Sequence, residues 1–210
     1  MRKSSNISRL FVLVGLLVAG CTKSGGNANE ILFGEYGSMT GSESSFGTST
    51  HRGVEMALDE ANAAGGFNGK KFRTISYDDQ GKSEEAVTAM TKLITRDKVL
   101  LVIGEVASSR SIAAGAIAQQ YKIPMISPAS TNPKVTQLGN YIFRVCFIDP
   151  FQGKVMSRFA FENLKKKKAA ILRDIRSDYS VGLADYFIKD FKAQGGEIVT
   201  DVAYSSGDID

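Results

Sequence analysis

Five consecutive apolar residues, Val99 to Ile103 (VLLVI), run straight into Gly104. A strand with one wet face alternates apolar and polar residues. This run does not alternate, so it predicts a strand covered on both sides, as in a parallel sheet with helices over each face. Parallel neighbours need crossover connections, usually helices, so the rest of the chain should alternate strand and helix.

It does. Ile31–Tyr36 (ILFGEY) reads as a strand, followed by a polar loop from Ser38 to Gly47. Val54, Ala57, Leu58 and Ala61 then recur at helical spacing, and Gly65-Gly66 stop that helix. Lys71–Tyr77 reads as a strand. Ser83 is a candidate N-cap, Glu84 and Glu85 suit the dipole of a first turn, and Ala86, Val87, Met90, Leu93 and Ile94 give an apolar face. After VLLVI come a helix over Ser111–Tyr121 and strands at Ile123–Ser127 and Tyr141–Val145. The pattern restarts with a helix near Phe151–Leu164, a strand at Ala169–Leu172, a helix near Tyr179–Gln194 and a strand at Glu197–Tyr204. The expected fold is α/β, with an open parallel sheet and right-handed crossovers. A lobe boundary falls near Cys146–Phe151, giving a first lobe over 31–147 and a second over 148–210. Two strands and two helices cannot cover a parallel sheet by themselves, so the second lobe is expected to be incomplete within these 210 residues.

The N-terminus reads differently. Arg2, Lys3 and Arg9 precede a ten-residue apolar run, Leu10–Ala19, too short to span a bilayer as a helix. Val18-Ala19-Gly20-Cys21 follows, so 1–20 reads as a signal peptide. VAGC also resembles the lipobox of bacterial lipoproteins, which implies cleavage before Cys21 and lipidation of its sulfur. Residues 21–30 are rich in Gly, Ser and Asn and read as a flexible tether. Loss of the three basic residues lowers the formal charge from +4 to +1. Basicity is then no argument for nucleic acid, and no basic aromatic stripe or helix-turn-helix pattern is present. Lys165–Lys168 is the remaining basic run, read as a solvated helix end. Cys146, between Val145 and Phe147, reads as a structural cysteine.

Enzyme signatures are missing from the sequence. The single histidine, His51, reads as a cap or surface residue near a helix start. There is no G-x-S-x-G elbow, Walker A motif or dinucleotide G-x-G-x-x-G, and no cofactor is implied. Asp78-Asp79 reads as a polar loop.

In open α/β sheets, ligands bind beyond the carboxyl ends of the strands. Three such ends carry small polar residues: Gly37–Gly41 with Phe46 beyond, Gly104–Ser109, and Ser127–Thr131. Small residues let the backbone approach a ligand, and hydroxyls and helix N-termini offer donors to a carboxylate. Residue type alone equally fits Ser108, Ser109, Ser130 and Thr131 as caps and turn residues.

Six segments in order go further: ALDEANAAGGFNGKK (57–71), YDDQGKSEEAV (77–87), VIGEVASS (102–109), MISPASTNPKVTQLGNYIFR (125–144), DPFQG (149–153) and DYSVGLADYF (178–187). On these the chain resembles the N-terminal half of the leucine/isoleucine/valine-type periplasmic binding proteins. The resemblance implies a two-lobed type I periplasmic-binding-protein fold, closing on an amino acid. It implies delivery to an ABC importer from the periplasm or outer face of the cytoplasmic membrane, without catalysis, with the membrane touched only through the lipid anchor. Ser108 matches the serine that binds the ligand carboxylate. Ala129 and Thr131 match positions that hold the α-amino and α-carboxylate groups. Phe46 matches an aromatic wall, and Tyr179 the tyrosine that closes from the second lobe. The family's remaining acidic residue and second pocket tyrosine would fall past Asp210. A sensor's ligand domain on the same fold, and other amino acids, amides or urea as ligands, stay open beside branched-chain amino acids.

Overall fold

The computed structural model describes residues 29–207. The expected signal peptide, Cys21 and most of the tether lie outside the described residues. Glu30, assigned to the tether, already belongs to the first strand and pairs with Lys71.

The elements are β1 (Glu30–Gly37), α1 (Ser44–Ala63), β2 (Lys71–Asp78), α2 (Ser83–Thr95), β3 (Leu101–Ile103), α3 (Ser108–Tyr121), β4 (Met125–Ser127), α4 (Lys134–Gln137) and β5 (Ile142–Arg144). They are followed by α5 (Asp149–Arg158), a π-type turn (Phe159–Asn163), β6 (Lys168–Asp174), α6 (Asp178–Ala193) and β7 (Glu197–Tyr204). The first five strands form one sheet in the order β2-β1-β3-β4-β5, and β6 and β7 form a second. Every pair of neighbouring strands is parallel. The order starts from β1 and runs outward on both sides, so the crevice between the β1 and β3 carboxyl ends is the topological switch point.

The core lies on one face of the first sheet. Tyr36, Val102, Met125 and Ile142 point there and meet Met90 and Leu93 of α2 and Ala114 and Ala118 of α3. Glu84 and Glu85 open α2 and Lys92 closes it, as its dipole favours. Ser83 is the first helical residue rather than the cap. Lys82 holds the cap position and no side chain bonds there.

The opposite face is thinner than VLLVI suggests. Val102 is fully buried, but β3 holds only three residues, and Leu100 is 62% exposed. Among the described residues α1 covers this face above β1 and β2, where Asn62 accepts from Phe72 N at 2.7 Å. Phe143 on β5 stays exposed. The apolar run therefore marks a strand with one packed face and one partly covered face among the described residues.

Three boundaries move towards the crevice. α1 begins at Ser44, so Phe46 is helical and not in a loop. α3 begins at Ser108, three residues before the expected start. α5 begins at Asp149, with Pro150 in its first turn, where a missing N–H costs nothing. Two glycines make the crevice compact. A Cβ on Gly47 would sit 2.1 Å from Ser38 O, and one on Gly104 would sit 2.2 Å from Tyr36 O. α1 and the β3 end thus approach the β1 backbone directly.

Candidate functional site

The abrupt change inside MISPAST has a structural cause. β4 ends at Ser127, and the following residues fold back towards the β3 end. Ser127 Oγ donates to Glu105 O at 2.7 Å and accepts from Ser130 N at 2.9 Å. Ser130 Oγ lies 2.9 Å from both Glu105 O and Val106 O, and 2.7 Å from Ser111 Oγ. Buried carbonyls need donors, and only short hydroxyl side chains supply them without separating the two loops. From the other side, Arg144 spreads its guanidinium under the same segment. It donates to Ser130 O at 2.7 Å, Asn132 O at 2.8 Å, Pro133 O at 3.2 Å and Thr136 Oγ1 at 2.8 Å.

These loops form one wall of a cavity of about 430 Å³. Ser108, Ala129, Thr131, Phe46 and Tyr179 all line it. The structure thus brings all five candidate residues together, four from elements of the first sheet and Tyr179 from α6. Neither Ser108 nor Ser109 caps α3. Ala107 holds the cap position without a side-chain bond. Ser108 Oγ instead accepts from Asn132 N at 3.2 Å, tying the α3 start to the Thr131 segment. The first N–H groups of α3 have no intrahelical acceptor, so this wall offers donors to an anionic group. Phe46, Val106, Phe147 and the Tyr179 ring give the lining its apolar part, and Gln152, Ser177 and Glu43, the last paired with Arg110, complete it. The arrangement suits a small solute with a carboxylate at one end and an apolar side chain at the other.

Sequence reasoning did not single out Glu43, Val106, Ala107, Phe147, Gln152 or Ser177 in this lining. Gln152 had a signal, since it lies inside DPFQG, but its direction depended on where α5 starts. Its Nε2 donates to Tyr179 Oη at 3.1 Å.

A charged network supports the wall from behind. Arg110 Nε lies 3.2 Å from Glu105 Oε2, its Nη1 donates to Gly81 O at 3.2 Å, and its Nη2 pairs with Glu43. Burial pulls the Arg110 pKa down, but Glu105 and Glu43 outweigh it and leave the guanidinium more firmly charged than usual. Asp79, read as part of a polar loop, is fully buried. Burial and the neighbouring Glu105 push its pKa up to about 6. Asp149 is buried too, and burial raises its pKa against the opposing pull of the Thr131 hydroxyl and the Arg144 charge.

His51 corrects its expectation. It sits well inside α1 with Nδ1 2.7 Å from the buried Glu35 and Nε2 3.3 Å from Glu55, away from the cavity. Cys146 is half-buried with its thiol against Ser130 O, and burial raises its pKa. Among the described residues no cluster of His, Cys, Asp and Glu is placed to hold a metal ion. No helix among them is long and apolar enough to cross a membrane.

Residues 30–210 match the family described as periplasmic binding protein. A leucine-, isoleucine-, valine-, threonine- and alanine-binding protein of Pseudomonas aeruginosa is 32% identical over 212 residues, covering 100% of this chain and 56% of the relative. A leucine-binding protein from Thermotoga maritima superposes with a TM-score of 0.80 at 40% identity, over 86% of this chain and 50% of that one. A branched-chain amino acid transporter substrate-binding protein from Streptococcus pneumoniae, solved with isoleucine, gives a TM-score of 0.80 at 37% identity, over 86% and 51%. The chain spans about half the length of the curated relatives it matches.

Proposed function

Because the chain belongs to the periplasmic binding protein family, we propose that it captures a branched-chain amino acid outside the cytoplasm, in a two-lobed type I fold, and delivers it to an ABC importer. One observation carries this reading. Residues from both sheets' elements converge on one cavity whose donor-rich wall, at Ser108 and Thr131, faces apolar walls of Phe46, Val106 and Phe147. A zwitterion with an aliphatic side chain satisfies both halves. Its carboxylate takes the hydroxyl and α3 N–H donors, and charge-assisted bonds of this kind contribute roughly 1.5–3 kcal/mol each. Its side chain displaces water from the apolar walls, at about 25 cal/mol per Å² covered. Among the described residues that line the cavity none is a lysine or arginine, and Arg110 behind the wall is taken by Glu43 and Glu105, so an acidic ligand side chain finds no cation.

The relatives' names supply the ligand class. The Pseudomonas aeruginosa protein is named for leucine, isoleucine, valine, threonine and alanine, and the Streptococcus pneumoniae complex holds isoleucine. Cys21, by its lipobox-like setting, would anchor the protein to the membrane through lipid.

Titration calorimetry with leucine, isoleucine, valine, alanine, aspartate, lysine, urea and acetamide tests the reading. Heat with the branched-chain set at micromolar concentrations and none with aspartate or lysine is expected. Binding of urea or acetamide alone, or of none of the panel, would overturn it.

A further inference from the structure

α6 belongs with the second sheet, yet its first residue is held by three groups from the first. Ser109 Oγ accepts from Asp178 N at 2.9 Å. Asn132 Nδ2 donates to Asp178 O at 2.7 Å. Lys134 Nζ lies 3.6 Å from Asp178 Oδ1. Such contacts are not a by-product of close packing, because the fold makes room for one of them. A Cβ at Gly182, one turn further along α6, would sit 2.8 Å from Asn132 Nδ2. Any other residue at position 182 would push Asn132 away from the Asp178 carbonyl.

The two main partners are sequence neighbours of cavity residues. Ser109 follows Ser108, and Asn132 follows Thr131. They are also linked to each other, since Asn132 N donates to Ser108 Oγ at 3.2 Å. A group that orders Ser108 and Thr131 therefore orders both clasps on Asp178. Tyr179, the next residue, enters the cavity. Asp178 thus stands between the wall that would take the ligand carboxylate and the tyrosine that covers the apolar end.

We infer that Ser109 and Asn132 are positioning residues that clasp the Asp178 peptide as one unit, holding the second lobe shut over the cavity and setting how long a ligand stays. The clasp consists of contacts between the two lobes themselves, whereas its effect on residence rests on the amino-acid-binding function proposed above.

Two conservative variants isolate the clasp. Ser109→Ala removes the acceptor for Asp178 N. Asn132→Asp keeps Oδ1, which accepts from Lys134 N at 2.9 Å, but has no donor for Asp178 O. The first readout is amide exchange at Asp178 by NMR in the ligand-free protein. As the first residue of α6, Asp178 has no intrahelical acceptor for its N–H, so its protection reports the Ser109 bond. Exchange should quicken by about tenfold in both variants. The Asn132→Asp result is decisive, because Asn132 does not touch that N–H. Wild-type protection in Asn132→Asp would mean two unrelated local bonds and would overturn the proposal.

The second readout is stopped-flow kinetics with leucine. Dissociation should be about tenfold faster in each variant, with association within about twofold of wild type. Unchanged dissociation in both would equally overturn the clasp. If the wild-type protein binds none of the branched-chain set, the function proposed above fails, and the Asp178 exchange rates alone decide whether the clasp works as a unit.

Discussion

The Ser38 hydroxyl lies 2.9 Å from Asp79 Oδ1, between the end of β1 and the end of β2. The same oxygen lies 3.0 Å from Glu105 Oε1. One hydroxyl proton cannot serve two carboxylate acceptors, and Asp79 has the poorer surroundings. Glu105 also accepts from Ser38 N and Ala107 N and pairs with Arg110. Asp79 has Gly81 N at 2.9 Å and an Oδ2 with no partner. Asp79 is therefore the group that takes a proton first, with a pKa of about 6.

The sign follows from linkage. The folded pKa of Asp79 exceeds its unfolded value, so the folded state holds the extra proton between about pH 4 and 6. Stability should be greatest at the acid end of that window and fall as pH rises, by roughly 2–3 kcal/mol from this group. His51 acts in the same direction at higher pH. Its pKa is raised, chiefly by its hydrogen bond to Glu35, so its contribution is present below about pH 6.5 and lost above. Urea unfolding across pH should show Asp79→Asn flattening the lower part of the fall and His51→Gln the upper part. A pH profile in Asp79→Asn matching wild type between pH 4 and 6 would refute the assignment.

Much of the architecture was legible because periodicity reports burial. Glu84-Glu85 followed by Ala86, Met90 and Leu93 marks α2, and the apolar runs mark β3 and β4. What was not legible depends on long-range pairing. Asp79 reads as a polar loop residue because nothing local shows that Ser38 and Glu105 will enclose it. His51 reads as a surface residue because its partner, Glu35, lies in a different element. The five candidate cavity residues were visible through small-residue loops and family resemblance, but Gln152 and Asp178 were not. Their importance comes from contacts made after the two sheets meet. The extent of VLLVI misled for a related reason: an apolar run records what can be buried, not which neighbouring element is there to bury it.

Cys21 offers a prediction from sequence alone. VAGC resembles a lipobox, and lipidation there would place the protein at the membrane surface. In source cells, labelling with a clickable fatty acid should tag the wild-type protein and not Cys21→Ser, and Cys21→Ser should move from the membrane to the soluble fraction. An unlabelled wild-type protein would remove the anchor from the proposed function.

Arg144 offers a test of how the Ser127–Pro133 segment is held. Its guanidinium donates to three backbone carbonyls and one hydroxyl, a set that a planar fork satisfies and an ammonium does not. Arg144→Lys keeps the charge and loses most of the geometry. Unfolding should become easier by about 2 kcal/mol, and leucine affinity should fall by about tenfold as Ala129 and Thr131 lose their register. If the variant binds as tightly as wild type while being equally stable, the segment is held by the serine cluster alone.

Gln152 and Tyr179 can be separated by a double-mutant cycle. Gln152 Nε2 donates to Tyr179 Oη at 3.1 Å, and both side chains line the cavity. The bond fixes the phenol at the rim, where a free ring would sample several rotamers before covering a ligand. Gln152→Ala and Tyr179→Phe each remove this bond and nothing else of comparable strength. Each should weaken leucine binding by roughly three- to tenfold. The double variant should be no weaker than the worse single, giving a coupling of about 1 kcal/mol. Additive losses would mean that Gln152 touches the ligand directly and does not act through Tyr179. The same pair of variants should leave urea unfolding within about 0.5 kcal/mol of wild type, because both side chains sit at a surface rim outside the core.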